Sequence, residues 1–186
     1  MPPPAPTVWH WPTAACTSWC IPLAKLTVRE LVLFGILGAM TFGAKYVMSF
    51  LPNIEPVSLC VMLYAAVFGK KWVYPVYLYV GLEILFYGLG IWNINYLYTW
   101  ALLAVAACFL RRMEGSFGWA MLSGVFGLSF GALCGIVDVF IGGFPYAAAK
   151  WVSGIPFDIS HCIGNFVMAL VLFQPLRQRM KKLYHK

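Results

Sequence analysis

The chain has 186 residues, of which 62% are hydrophobic and 10% charged, and its mean hydropathy is +0.80. A soluble domain of this composition could not cover its surface with polar side chains, so a globular protein in water is excluded. At about 20 apolar residues per membrane crossing, the length allows about six crossings and one domain. The formal net charge is +7. Most of the basic residues lie in predicted loops and tails, where they indicate membrane topology, so we expect no nucleic-acid partner.

Residues 1–24 are rich in proline and tryptophan. They lack the basic start and the continuous apolar core of a secretory signal. Proline removes a backbone donor and opposes helix formation. We therefore expect a disordered cytoplasmic or surface-lying tail, or a start site assigned too early.

Apolar runs separated by glycine, proline and charged residues predict an all-α membrane domain of six transmembrane helices within residues 25–176. Thr27 with Glu30 three residues later has the spacing of a capping box, which marks the first helix start. We interpret residues 92–95 as a polar aromatic turn and 144–154 as an aromatic connection. The predicted spans are residues 26–50, 57–68, 72–90, 96–110, 119–141 and 155–173.

The basic residues indicate the orientation of these helices. With six crossings nearly all of them fall on one side, and the positive-inside bias then places both termini, including the basic tail 177–186, in the cytoplasm. Lys45 and Lys150 do not fit this pattern. The residues that do fit are Lys25, Arg29, Lys70, Lys71, Arg111, Arg112, Arg177, Arg179, Lys181, Lys182 and Lys186.

Several polar side chains fall within the apolar spans. Charged groups inside a bilayer are costly, so they face protein or a water-filled cavity and are candidates for function. Asp158, His161 and Asn165 are spaced to share one helical face. A purely structural interpretation is that Asp158 favours the helix N-terminal dipole and that Ser160 and His161 bond across helices. Glu83 and Asp138 are harder to explain in that way.

Aromatic side chains cluster near the predicted outer loops. They fit either a belt at headgroup depth or a stacking pocket for a flat ring. In the pocket interpretation, the carboxylates favour a ring with amino or cationic groups, or donors on a larger vitamin. The complete predicted substrate-binding set is Glu83, Trp92, Asn95, Tyr96, Asp138, Trp151, Asp158, His161 and Asn165.

Small residues occur at helical spacing in two spans. Gly35, Ala39 and Gly43 form a stripe on the first helix that lets another helix approach closely, either within the chain or from a partner. The glycines of the fifth span, among them Gly127 and Gly131, indicate close helix packing for the same reason.

The sequence indicates no enzyme, metal site or cofactor. Ser153 with nearby His161 lacks the glycine-led motif of a serine intramembrane protease, and Asp138 and Asp158 lack the paired motifs of an aspartyl one. The six cysteines have neither a disulfide-framework nor a zinc spacing. A channel filter repeat is not visible either.

The layout resembles the substrate-binding S component of an energy-coupling factor (ECF) transporter. The resemblance covers about residues 26–183 and depends on the six spans, the stripe on the first helix, the connection 52–56 and the run 142–158. It implies a multi-pass protein of a prokaryotic plasma membrane that captures a vitamin or related micronutrient from outside. It also implies docking through Gly35, Ala39 and Gly43 to a transmembrane coupling subunit driven by two ATPases, with 52–56 as a lid. The alternative is a non-catalytic membrane assembly or scaffold subunit.

Overall fold

The computed structural model describes residues 26–50 and 56–184. The predicted tail 1–24 and most of the predicted lid lie outside these ranges. Within them all regular structure is helical and no strand occurs. Four helical stretches of the described chain are long and apolar enough to cross a membrane, judged by length and composition: Val28–Val47, Val57–Tyr87, Ile91–Phe109 and Ser116–Tyr184.

Two of these stretches are interrupted, so the described chain forms six helical segments. A short 3-10 helix, Gly69–Trp72, divides the second stretch. Gly143, with φ 78°, interrupts the last one. The segments are α1 (Val28–Val47), α2 (Val57–Phe68), α3 (Val73–Tyr87), α4 (Ile91–Phe109), α5 (116–142) and α6 (144–184).

Contacts along α5 and α6 show that the chain folds back at Gly143. Far from Gly143, the rings of Trp119 and Phe173 stack with centroids 4.2 Å apart. Close to Gly143, the Lys150 ammonium donates to the Asp138 carboxylate. The two helices are therefore antiparallel. Gly124, Gly127 and Gly131 of α5 lie against residues of α6, which confirms the predicted close packing at these three glycines.

One end of the bundle collects the basic segments, and we call it the basic end, defined by Arg29, Lys71, Arg111 and Arg177. Lys71 and Tyr184 both donate to the carboxylate of Glu30. The Arg29 guanidinium donates to the Leu183 carbonyl. The start of α1, the turn before α3 and the end of α6 therefore meet at this end of the bundle.

Arg177 ties α6 to the connection after α4. Its guanidinium donates to the carbonyls of Met113 and Arg111 and lies over the Trp119 ring, 5.4 Å from the ring centroid. Arg177 is only 7% exposed. The basic segment from residue 177 onward thus continues α6 and packs on the bundle through residue 184.

The helix boundaries confirm some predictions and correct others. The capping box of Thr27 and Glu30 is present. Residues 92–95, predicted as a turn, are helical, because the turn is made by Gly88, with φ 80°, and the buried Asn93 amide donates back to the Gly88 carbonyl at 2.9 Å.

Residues 144–154, predicted as a connection, are also helical. The helix resumes directly after Gly143. Pro145 then lies in the first turn of α6, where its missing N–H costs little.

Candidate solute-binding pocket

A pocket of about 230 Å³ lies at the end of the bundle opposite the basic end. Three helices build it: the last turn of α1 contributes Lys45, the end of α3 contributes Glu83 and Tyr87, and the start of α4 contributes Trp92 and Tyr96. Small-molecule sites usually enclose about 300–1,000 Å³. The pocket is smaller than that range, so it suits only a small ligand.

Lys45 and Glu83 form an ion pair in the wall of this pocket. The Lys45 ammonium donates to Glu83 Oε2 at 3.1 Å and to the Tyr96 hydroxyl at 3.1 Å. It also lies 4.9 Å from the Tyr96 ring centroid, within cation–π range. A carboxylate that is only 2% exposed requires such a partner.

The second oxygen of Glu83 has a different environment. Oε1 is buried and has no hydrogen-bond partner among the described residues. A buried acceptor without a donor carries a desolvation cost of about 1–3 kcal/mol, and more when it is charged. A donor arriving in the pocket would remove that cost.

The remaining walls are aromatic. Tyr87 and Trp92 are half-exposed, at 51% and 48%. Tyr96 packs on Trp100, with ring centroids 5.5 Å apart, and Trp100 is fully buried. The pocket thus combines a packed aromatic base with accessible ring faces, which stack favourably on a flat ligand.

A second polar group lies between α4, α5 and α6. The Lys150 ammonium donates to Asp138 Oδ1 at 2.6 Å, with Asp138 buried and Lys150 largely exposed. The Tyr98 hydroxyl lies 3.1 Å from Asn95 Oδ1 and 2.6 Å from the Leu133 carbonyl oxygen, which links α4 to α5. Asp138, predicted to bind substrate, is therefore paired between α5 and α6, whereas Asn95, also predicted to bind substrate, accepts from Tyr98 within α4.

The three predicted residues of α6 share one buried face, as their spacing indicated. Asp158 Oδ1 accepts from the Gly131 N–H at 3.0 Å. His161 packs edge-on against Phe130, with ring centroids 5.1 Å apart, and Asn165 donates to the Ser58 hydroxyl at 3.1 Å.

These contacts test whether Asp158 only favours the N-terminal dipole of its helix. Asp158 and Asn165 bond across to neighbouring helices. Because α6 starts at residue 144, Asp158 lies several turns inside it. The N-terminal dipole therefore does not account for this carboxylate.

The structure thus brings Glu83, Trp92 and Tyr96 together in one pocket and places the other predicted residues elsewhere. Trp151 is 45% exposed and is not among the residues that line this pocket. Sequence reasoning missed Lys45 as a pocket residue. A signal for it was present in the sequence, since Lys45 and Lys150 did not fit the predicted topology. The structure pairs these two lysines with Glu83 and Asp138, respectively.

The pocket can recognise a ligand through the Lys45 ammonium, the Glu83 carboxylate and the rings of its three aromatic residues. In the part of the chain that the structure describes, no group of three or more His, Cys, Asp or Glu side chains could hold a metal ion. No family model, curated protein or solved structure matches this chain.

Proposed function

We propose that this chain is the substrate-binding S component of an ECF-type importer, a non-enzymatic subunit that captures a vitamin-like micronutrient outside a prokaryotic cell. The observation that carries the proposal is the pocket of Lys45, Glu83 and Trp92. A bundle that served only as a scaffold would not require a buried carboxylate with an unpartnered oxygen in the wall of an open, aromatic-lined pocket. Such a group is characteristic of a binding site.

The distribution of charge supports the orientation that capture requires. The basic end and the pocket lie at opposite ends of the bundle. If the six segments all cross the bilayer, the positive-inside bias places the basic end in the cytoplasm. The pocket then opens to the outside, where a scavenged solute arrives.

The exposed face of α1 supports docking to a coupling subunit. A Cβ added at Gly35 or Gly43 would meet no atom of the described chain within 4 Å, and Ala39 is exposed. By contrast, a Cβ at Gly38 would lie 3.0 Å from the Leu78 Cβ. The described helices therefore pack on α1 at Gly38 and leave the stripe of Gly35, Ala39 and Gly43 uncovered. An uncovered stripe of small residues favours the docking of a partner helix there. In the proposed transporter this partner is the transmembrane coupling subunit, which also binds two ATPases.

The test is mass spectrometry of small molecules released from the protein after purification in detergent. We expect wild-type protein to retain one compound in near-stoichiometric amount, and Glu83→Ala and Trp92→Ala to lose most of it. Trp151→Ala is the matched control, because both tryptophans are half-exposed and only Trp92 lines the pocket.

Two results would contradict the proposal. If wild-type protein neither retains nor rebinds any compound from a cell extract, solute capture is wrong. If Trp92→Ala and Trp151→Ala retain the compound equally, the pocket is not its site.

A further inference from the structure

We infer that the bundle holds a second polar site, a gap between α5 and α6 in which ordered water binds to the buried carboxyl group of Asp158. This site is separate from the pocket described above, which is built from α1, α3 and α4. The inference goes beyond the proposed function and does not depend on it.

Among the buried carboxylates that the structure describes, only Asp158 lacks a cationic partner. Glu83 and Asp138 each pair with a lysine, whereas Asp158 accepts from the Gly131 N–H through Oδ1. Asp158 is 6% exposed, and its buried Oδ2 has no hydrogen-bond partner among the described residues. Buried polar oxygens in native proteins are almost always hydrogen-bonded, to ordered water where protein offers no donor. Asp158 Oδ2 therefore requires a donor.

The two helices contact each other at both ends of the proposed gap. Towards the basic end, Asp158 packs on Gly131, and its Oδ2 occupies the place where a Cβ of that glycine would lie. Towards the pocket end, the Lys150 ammonium donates to Asp138 Oδ1 at 2.6 Å. Along α6 these two contacts are eight residues apart, which corresponds to about 12 Å.

Between the two contacts each helix presents a glycine. Gly135 follows Gly131 by four residues, and Gly154 lies four residues from both Lys150 and Asp158, so these glycines are on the faces that make the flanking contacts. A Cβ added at Gly135 or Gly154 would meet no described atom within 4 Å. The helices therefore touch at two levels and leave room between them. A polar gap of this kind is where internal water binds.

The side chains around the gap supply the partners that water needs, which number two to four for an internal molecule. Asp158 Oδ2 is the acceptor. The Lys150 ammonium has three N–H donors, one of which goes to Asp138. The Cys134 thiol interacts electrostatically with the carboxyls of Asp138 and Asp158, so it borders the gap. The Lys150 side chain is 54% exposed, which gives water a route from the surface.

The test is hydroxyl-radical footprinting of wild-type protein in detergent. An X-ray pulse produces radicals from water, internal water included, and mass spectrometry then locates the oxidised side chains. Cys162 is the matched control for Cys134, because both thiols are half-buried in α5 or α6 and Cys162 packs on Gly124 instead of the gap. We expect Cys134 to be oxidised several times faster than Cys162.

A Gly154→Leu variant fills the gap with an apolar side chain. We expect it to slow the oxidation of Cys134 to about the rate of Cys162, because water is displaced. Gly81→Leu is the control on α3, where an added Cβ also meets no described atom within 4 Å, and it should leave the Cys134 rate unchanged.

The opposite results are equally clear. Equal oxidation of Cys134 and Cys162 in wild-type protein would overturn the inference, since the gap would then be dry or filled by lipid. An unchanged Cys134 rate in folded Gly154→Leu protein, or an equal loss in Gly81→Leu, would overturn it as well. If Gly154→Leu does not fold, the comparison within wild-type protein decides. None of these results affects solute capture, which is tested by the retained compound.

Discussion

Replacing Lys45 with methionine removes the charge partner of Glu83 and keeps the unbranched stem. Glu83 is 2% exposed and Oε1 already lacks a donor, so Oε2 would lose its Lys45 donor as well. Breaking a buried ion pair by removing one partner costs about 3–5 kcal/mol. The Lys45 side chain is 18% exposed and borders the pocket, so we expect the lower end, a loss of about 3 kcal/mol.

The assay is reversible unfolding in mixed micelles, followed by tryptophan fluorescence, which yields the free energy of unfolding. Lys181→Met is the control, since the same substitution at an exposed position should change stability by no more than about 0.5 kcal/mol. The double variant Lys45→Met/Glu83→Leu removes both charges. Because apolar residues often replace a buried pair without loss, it should recover to within about 1 kcal/mol of wild type.

The reasoning is refuted if Lys45→Met is no less stable than Lys181→Met. It is equally refuted if the double variant is as unstable as the single one, because the cost would then not come from a buried, unpaired carboxylate.

Three further predictions concern the rest of the bundle. Gly127→Ala should lower the free energy of unfolding by about 1–3 kcal/mol, because the new Cβ would lie 2.8 Å from a backbone oxygen of α6. Gly135→Ala, with no described atom within 4 Å of its Cβ, should be neutral or slightly stabilising. Arg177→Met should cost about 1.5–3 kcal/mol through two lost charge-assisted hydrogen bonds, and the exposed Arg179→Met should cost little. Ala39→Leu should reduce co-purification with the coupling subunit at unchanged stability; equal recovery would exclude this face as the docking site.

Local signals predicted the helical elements well. The apolar runs correctly predicted an all-helical fold, and Thr27 with Glu30 marked the start of α1. The predicted turn at 92–95 is wrong, because both asparagines are buried side chains in the first turns of α4. Asn93 is 3% exposed, since it bonds back to the glycine turn before α4, and no local pattern distinguishes that contact from a loop.

The pocket was only partly predictable. Glu83, Trp92 and Tyr96 stood out as polar or aromatic groups in or beside apolar spans. The spacing of Asp158 and His161 correctly predicted a common face, but spacing does not indicate which helix covers that face. Only the packed bundle shows that it lies against α5 and α2 and that Lys45 reaches across to Glu83.

Capture of a solute from outside requires that the pocket end of the bundle faces outward and the basic end faces inward. Single cysteines at Leu89, which is 85% exposed beside the pocket, and at Lys182, in the basic last turns of α6, can be labelled with a membrane-impermeant maleimide in right-side-out spheroplasts, with wild-type protein as the background. We predict that Leu89→Cys reacts at once and that Lys182→Cys reacts only after permeabilisation. Labelling in the opposite order, or of both before permeabilisation, would contradict the capture of a solute from outside.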